Sequence, residues 1–311
     1  MDYFPLDVHR LNHKYVRQRG HRMPLIMIKT IMFQLARALV FLHARSICHR
    51  DAKPGNLLVD SETGVVKLCD FGCAKKMQPL GDHEPPEKNV SYICSRPYRA
   101  PELLLGSLYY RFHVDMWAFG CVLAELLCGK VLFMGSSTVD QMIEIFKVLG
   151  VPSTQELAAL NPHFTSMPGM TASPWSAVHG FQFETATPSS PTSSNPHGSD
   201  YFQRYQALHV KSLQWDSVLP PNTPESAISL IGGLLRYTPG DRLTAAEVLE
   251  HAFFDDLFAA DARLPNGNPL PVSMFQVTKE ELEVLPPWLL ERMAVSERVA
   301  KENQASTQPE A

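Results

Sequence analysis

The chain has 311 residues, of which 45% are hydrophobic and 19% are charged, so wholesale disorder, collagen and a disulfide miniprotein are excluded. Its 28 lysines and arginines nearly balance its 32 aspartates and glutamates, and the formal net charge of −4 predicts no nucleic-acid and no membrane partner. The length predicts about two domains or lobes with a large buried core.

The N-terminal segment and the cysteines indicate an intracellular protein. MDYFPLDVHR, at residues 1–10, has no basic stretch followed by an apolar one, and no span reaches the ~18 uncharged apolar residues of a membrane helix. The six cysteines form no C-x-x-C pair and are interpreted as buried thiols. These features predict a cytoplasmic or nuclear location in a reducing compartment.

The apolar residues predict helices and one hairpin. Spacings of three and four over residues 25–45 predict an amphipathic helix with a buried stripe. Two apolar runs, 57–59 and 65–68, flank the turn sequence DSETG and predict a short β-hairpin. Further helices are predicted at 114–127 (ending at Gly129), 139–149 (ending at Gly150), 224–236 and 244–250, so the fold class is mainly α.

Two segments do not fit this pattern. Residues 184–200 read ETATPSSPTSSNPHGSD and cannot build a core, so we predict a flexible insertion over about 166–212. Its Thr187 and Ser190, each followed by proline, are candidate phosphorylation sites, with an unregulated solvated linker as the alternative. The polar end at 297–311 is predicted to fray.

The segment that carries the chemistry lies between the first predicted helix and the hairpin. Residues 49–56 read HRDAKPGN and match the motif H-R-D-x-x-x-x-N. Phosphoryl transfer needs a carboxylate that accepts the proton of the attacking hydroxyl, which is the role predicted for Asp51. Asn56 is the predicted ligand of a metal ion, and Lys53 would neutralise the γ-phosphate as charge moves.

Two further motifs follow in the order that a protein kinase requires. DFG at 70–72 places Asp70 as a ligand of Mg²⁺ between the ATP phosphates, with Phe71 packed on the helices beneath and Gly72 completing the turn. APE at 100–102 closes the activation segment. Turn aspartates aligned by chance do not explain all the motifs in this order, so we predict a kinase-like C-lobe, with the hairpin carrying the catalytic loop.

The sequence resembles the glycogen synthase kinase 3 (shaggy-like) branch of the CMGC serine/threonine protein kinases from residue 1 to about 283, apart from the insertion. The similarity is carried by the stretches LCDFGCAK (68–75), NVSYICSRPYRAPELLLG (89–106), FGCVLAELLCGK (119–130), VDQMIEIFKVLG (139–150), YTPGDRLT (237–244) and LPNG (264–267). The sequence departs from the family pattern at Ala52, Gly55, Cys73 and Pro97.

The resemblance implies a nucleotide site and the residues that support it. Asp115 would brace the catalytic loop, with a helix N-cap as a compatible role, and Arg242 would pair with Glu102. Tyr92 would be phosphorylated in the active enzyme, or would be only a packed surface tyrosine. ATP and Mg²⁺ would contact the hinge at 2–5 through Phe4, the adenine floor at Leu58 and Cys69, and the metal ligands Asn56 and Asp70.

The resemblance also implies protein partners. Arg50 and Lys75 match two of three basic residues that hold a priming phosphate on the protein substrate, and such a pair binds phosphate through charge-assisted hydrogen bonds. The helix at 139–149 would dock a scaffold protein, although its apolar residues are equally explained as core.

Elements of the other kinase lobe are missing from the sequence before Asp51. Gly20 is the only glycine there, and residues 1–50 contain no glutamate and no lysine in a V-A-I-K context. We therefore expect the β-sheet of the N-lobe to be absent. The predicted organisation is a hinge remnant (1–8), a C-lobe (9–283) and a C-terminal tail (284–311).

Three functions are compatible with this sequence. The first is a serine/threonine protein kinase that is inactive as this chain alone. The second is a non-catalytic scaffold or binding module that acts through the helix at 139–149. The third is a nucleotide-binding enzyme of another kind.

Overall fold

The computed structural model describes residues 4–78, 87–161 and 211–307. Nearly all of the predicted insertion at 166–212 lies outside the described residues, as do Thr187 and Ser190. The helices are α1 (Val8–His13), α2 (Leu25–Ala44), α3 (Pro101–Leu104), α4 (His113–Cys128), α5 (Thr138–Leu149), α6 (Thr154–Leu160), α7 (Trp215–Val218), α8 (Glu225–Leu234), α9 (Ala245–Leu249), α10 (Lys279–Val284) and α11 (Pro287–Thr307). The predicted helices are confirmed to within two residues at each end.

Helix α2 forms the centre of the core together with α4. The predicted stripe of α2 is buried, with Ile28, Ile31 and Leu39 exposing 2% or less of their surface. By length and composition α2 could also cross a membrane, which the sequence analysis did not expect, but 67% of its apolar window is buried inside the domain. A core helix of a soluble protein can have the length and composition of a membrane-spanning helix, because it is apolar on most sides. Helix α4 ends at Gly129, whose φ of +74° is the left-handed C-cap conformation that glycine favours.

Two small antiparallel sheets flank the catalytic loop. The first has the strand order β1-β3-β4, and its central strand pairs Leu6 with Val59 on one side and Leu57 with Leu68 on the other. The second pairs β2 with β5. The strands are β1 (Leu6–Asp7), β2 (Ile47–Cys48), β3 (Leu57–Val59), β4 (Val66–Leu68) and β5 (Lys75–Lys76).

The prediction that the chain has no N-terminal β-sheet is wrong. The predicted hairpin is confirmed as β3 and β4, but Leu6–Asp7 adds a third strand to it, so the N-terminal region is part of a sheet. A strand of two residues is too short to show the alternation by which strands are recognised in sequence. The chain nevertheless remains mainly helical in the part that the structure describes.

The C-terminal tail is ordered further than the sequence indicated. The segment 297–311 was expected to fray, whereas α11 continues to Thr307. Leu289 and Met293 of α11 are completely buried and belong to the main hydrophobic core. The polar residues of 297–307 lie on a helix that a few apolar residues attach to the domain, which composition alone does not reveal.

Candidate active site

Asp51 lies on the loop between β2 and β3 and is held by donors from two segments. Its Oδ1 accepts hydrogen bonds from the backbone N–H and the Oγ of Ser95, both at 2.9 Å. Its Oδ2 accepts from Lys53 Nζ at 2.6 Å and from Asn56 Nδ2 at 3.1 Å. The carboxylate is thereby fixed between the catalytic loop and the activation segment.

These contacts determine the charge of Asp51. Burial alone would raise the pKa of its carboxyl group, but the hydrogen bonds from Lys53 and Ser95 and the charge of Lys53 outweigh it, so the pKa is lower than usual. Asp51 is therefore ionised at neutral pH, as a group that accepts a hydroxyl proton must be.

Asn56 and Asp70 present the oxygen ligands that Mg²⁺ prefers. Asn56 Nδ2 also donates to the carbonyl oxygen of Asp51 at 2.9 Å, so the amide oxygen of Asn56 points away from Asp51. The backbone N–H of Cys69 donates to the carbonyl oxygen of Asn56 at 2.9 Å, which places Asp70 beside this loop. The donor set therefore fits a magnesium ion.

Additional ligands would have to come from elsewhere. Among the described residues, no group of three or more His, Cys, Asp or Glu side chains could hold a metal ion by itself. Mg²⁺ commonly completes its coordination with water and substrate phosphates. Asp70 has a φ of +61°, an uncommon left-handed conformation, and its side chain accepts from the N–H of Gly72 at 3.2 Å.

Phe71 does not pack as the sequence suggested. It was expected to lie against the helices beneath, but 52% of its surface is exposed. Its ring meets His49 edge to face, with the centroids 5.2 Å apart. His49 Nε2 is in turn 3.1 Å from the carbonyl oxygen of Cys69, so the DFG segment contacts the catalytic loop through histidine.

The residues predicted to contact adenine lie on the first sheet and at its edge. Leu58 is in the central strand, opposite Asp7 and Lys67, and is partly exposed. Cys69 follows β4 and is also partly exposed. Phe4 precedes β1, and the Lys67 ammonium lies 5.3 Å from the centre of its ring. Leu58 therefore lies within the sheet, Cys69 at the end of β4, and Phe4 against the side chain of Lys67 in β4.

Asp115 braces the catalytic loop as the resemblance implied. Its buried carboxylate accepts from the backbone N–H of His49 at 2.9 Å and from that of Arg50 at 2.7 Å, and it lies 3.0 Å from His43 Nε2. Burial would raise the pKa of Asp115, but the hydrogen bonds and charge of His43 and the two backbone donors hold it below its usual value.

Glu102 and Arg242 form the predicted ion pair. Both are buried, and two parallel hydrogen bonds of 2.7 Å join the guanidinium to the carboxylate. Arg242 also donates to the carbonyl oxygens of Arg236, His113 and Tyr237. The end of the activation segment is thus tied to the C-terminal half of the domain.

Arg50 and Lys75 lie beside the activation segment, and both already have partners. Arg50 Nη1 donates to the hydroxyl of Tyr110 at 3.1 Å, and its Nε donates to the carbonyl oxygen of Cys73 at 2.5 Å. Lys75 Nζ is 2.7 Å from Asn89 Oδ1 and 2.7 Å from Glu87 Oε1.

Tyr92 is available to solvent. It is 75% exposed, and the Arg99 guanidinium lies 4.6 Å from the centre of its ring. Arg99 also donates to the carbonyl oxygens of Ile93 and Cys94. This arrangement leaves the side chain accessible to solvent, and phosphorylation of Tyr92 stays a prediction.

Two residues of the site were missed by the sequence analysis. Ser95 supplies two of the four donors to Asp51, and Tyr110 links Arg50 to the carbonyl oxygen of Val90 through a 2.6 Å hydrogen bond. Ser95 is 44 residues from Asp51, and Tyr110 is 60 residues from Arg50. Local patterns carry no signal of such pairing; the only indication was that both lie in or next to the activation segment.

A family model described as "Protein kinase domain" matches residues 3–254. The match covers more than half of the chain and all of the motif residues from Asp51 to Arg242. It also includes the N-terminal region that forms β1 at Leu6–Asp7.

Proposed function

Because the chain belongs to the protein kinase family, we propose that it is a serine/threonine kinase of the glycogen synthase kinase 3 (shaggy-like) branch, using Mg·ATP and protein substrates. The subfamily is supported by the stretches VSYICSR and CDFGCAK, and by the basic pair Arg50 and Lys75 that would bind a priming phosphate. One observation carries the reaction type: the carboxyl group of Asp51 is held by Lys53 and Ser95.

The geometry of Asp51 indicates how a substrate hydroxyl would enter. A carboxylate has about four acceptor positions, and four donors already contact Asp51. The Ser95 hydroxyl also accepts from Lys53 Nζ at 2.9 Å, so a substrate hydroxyl that takes its place would replace both contacts, while the Ser95 N–H would still hold Oδ1. A substrate hydroxyl in that position would donate to Oδ1, and Lys53 would remain close enough to balance charge that develops on the phosphate.

Metal ion and nucleotide would be held opposite this carboxylate. Asn56 and Asp70 would bind Mg²⁺, which when bound neutralises the phosphates during transfer. Leu58 and Cys69 would contact the adenine from below, with Phe4 at the hinge. We further propose that these 311 residues alone transfer phosphate poorly, because their first 50 residues include neither a G-x-G-x-x-G sequence nor a Lys–Glu pair.

Calorimetric titration of the full chain with ATP, with and without Mg²⁺, tests this proposal. We expect Mg²⁺-dependent binding that Asp70→Asn weakens by about tenfold or more, since a metal-bound carboxylate is lost. Asp216→Asn, which makes the same change on an exposed turn of α7, should leave binding unaffected. Transfer to a phosphoserine-primed peptide should be barely detectable.

The outcomes separate the proposed functions. Absence of Mg²⁺-dependent nucleotide binding would contradict the kinase proposal and favour the non-catalytic binding module. Rapid transfer that Asp51→Asn abolishes would support the kinase and contradict only the low activity of the chain alone.

Partners and location are also part of the proposal. A scaffold protein at α5 would have to use its partly exposed residues, because Met142, Ile145 and Phe146 are buried in the core. A cytoplasmic or nuclear location is supported by the six cysteines, all of which are free thiols.

A further inference from the structure

The basic pair Arg50 and Lys75 is bonded to one short part of the activation segment. Lys75 contacts Glu87 and Asn89, and the hydroxyl of Tyr110, which accepts from Arg50, donates to the carbonyl oxygen of Val90. Residues 87–90 therefore lie along both cations.

Glu87 is the acidic residue in this contact. Its Oε1 is 2.7 Å from Lys75 Nζ, while its Oε2 is buried and has no hydrogen-bond partner. Both side chains remain partly exposed, at 27% for Lys75 and 31% for Glu87. The carboxylate is thus held at the cation through one oxygen, in a place that solvent anions can reach.

We propose that Glu87 is a specificity-determining residue that competes with a substrate phosphate for Lys75 and thereby weakens the binding of phosphoserine-containing substrates. The inference rests on the proposed function, because it assigns the occupancy of the site that would receive a priming phosphate. Glu87 occupies that site from within the same chain.

The chemistry of the two anions explains why the competition is incomplete. Glu87 carries one negative charge and uses one oxygen, and burying its unpaired oxygen costs free energy. A phosphoserine carries about −1.5 to −2 charges at pH 7 and three acceptor oxygens, so it would bind Lys75 more strongly than a single carboxylate oxygen does. Phosphate can displace Glu87, but its affinity is reduced by the contact that must be broken.

Titration of the full chain with inorganic phosphate and with a phosphoserine peptide, without nucleotide, tests the proposal. We expect Glu87→Gln to bind both about fivefold more tightly than the wild type, the change that corresponds to losing a competing surface ion pair. The double variant Glu87→Gln/Lys75→Met should lose that gain. Glu283→Gln, which removes an exposed charge on α10, should match the wild type.

Equal phosphate affinities for the wild type and Glu87→Gln would overturn the proposal, as would a gain that persists in the double variant. If Glu87→Gln does not keep the wild-type circular dichroism and melting temperature, Glu87→Asp takes its place, because the shorter side chain should also release Lys75. The readout needs no phosphoryl transfer. A chain that shows the gain but no Mg²⁺-dependent nucleotide binding contradicts only the proposed function, and a chain that binds Mg·ATP without the gain contradicts only this inference.

Discussion

At the scale of the residue, the organising group of the site is the buried carboxylate of Asp115, which lies behind the catalytic loop. Asp115 receives the N–H groups of His49 and Arg50, His43 Nε2, and the thiol of Cys48 at 3.3 Å. Arg50 has a φ of +66°, which is unusual for a side chain of its size. The hydrogen bonds from the catalytic loop to Asp115 offset that backbone cost and keep the neighbouring Asp51 in position.

Replacing Asp115 should therefore destabilise the fold and the site together. We expect Asp115→Asn to lower the free energy of unfolding by roughly 2–3 kcal/mol, because hydrogen bonds to a charged acceptor are replaced by weaker ones and one donor is left facing an amide N–H. Asp241→Asn, on an exposed turn, should change it by less than about 0.5 kcal/mol. Urea unfolding measures both variants, and equal losses would contradict the role of Asp115.

The stabilities of the wild type and of Asp115→Asn should depend differently on pH. The pKa of folded Asp115 lies below its unfolded value of about 3.9. The stabilisation is therefore complete above that pH and is lost as the pH falls through the folded pKa. The difference in unfolding free energy between wild type and Asp115→Asn should shrink below about pH 4, and a constant difference would argue against an ionised carboxylate.

At the scale of the element, α11 shows how a polar segment becomes part of the fold. Leu289 and Met293 are four residues apart, so they lie on one face of the helix and both enter the core. The opposite faces are polar or exposed, as for Val295. Helix α11 extends the domain to Thr307, beyond the last residue at which the kinase family model matches.

Truncating the buried face of α11 should cost far more than truncating an exposed position nearby. We expect Leu289→Ala to lower the free energy of unfolding by about 2–5 kcal/mol, since it removes a completely buried side chain and leaves a cavity. Leu282→Ala makes the same change at a leucine of α10 that is 59% exposed, and should cost about 0.5 kcal/mol or less. Thermal or urea unfolding compares the two, and similar losses would show that α11 is not attached to the core.

At the scale of the whole molecule, the buried pair Glu102–Arg242 joins the activation segment to the region between α8 and α9. The guanidinium also lies 5.1 Å from the ring centre of Trp117 in α4. One side chain therefore connects three parts of the chain that are far apart in sequence. Because both charges are buried, removal of either leaves the other without compensation.

This link should be much stronger than a surface ion pair. We expect Arg242→Ala to cost about 3–5 kcal/mol of unfolding free energy. Arg10→Ala, which removes the exposed partner of Asp7, should cost at most about 1 kcal/mol. Chemical unfolding distinguishes these magnitudes. A loss for Arg242→Ala no larger than that for Arg10→Ala would mean that the buried pair does not hold the two regions together.

Much of the fold and the site could be predicted because the signals are local. Each signal lies within a short stretch of sequence. This holds for the stripe of α2, for the glycine that ends α4, and for the motifs that contain Asp51, Asn56 and Asp70. Hydrophobic periodicity and motif spacing report on such neighbours directly. The strand at Leu6–Asp7 and the donors of Ser95 were missed because they depend on partners about 50 and 44 residues away.

Residue types and spacings predict a carboxylate base and two metal ligands, and they predicted the mainly helical domain that the structure shows. The partners of the charged groups became visible only in the folded chain. Glu87 forms an ion pair with Lys75, Ser95 donates to Asp51, and Arg50 donates to Tyr110. Residue type and spacing set the chemistry that a side chain is capable of. Its protonation state and its unused hydrogen-bonding positions depend on which distant groups the packed chain places against it.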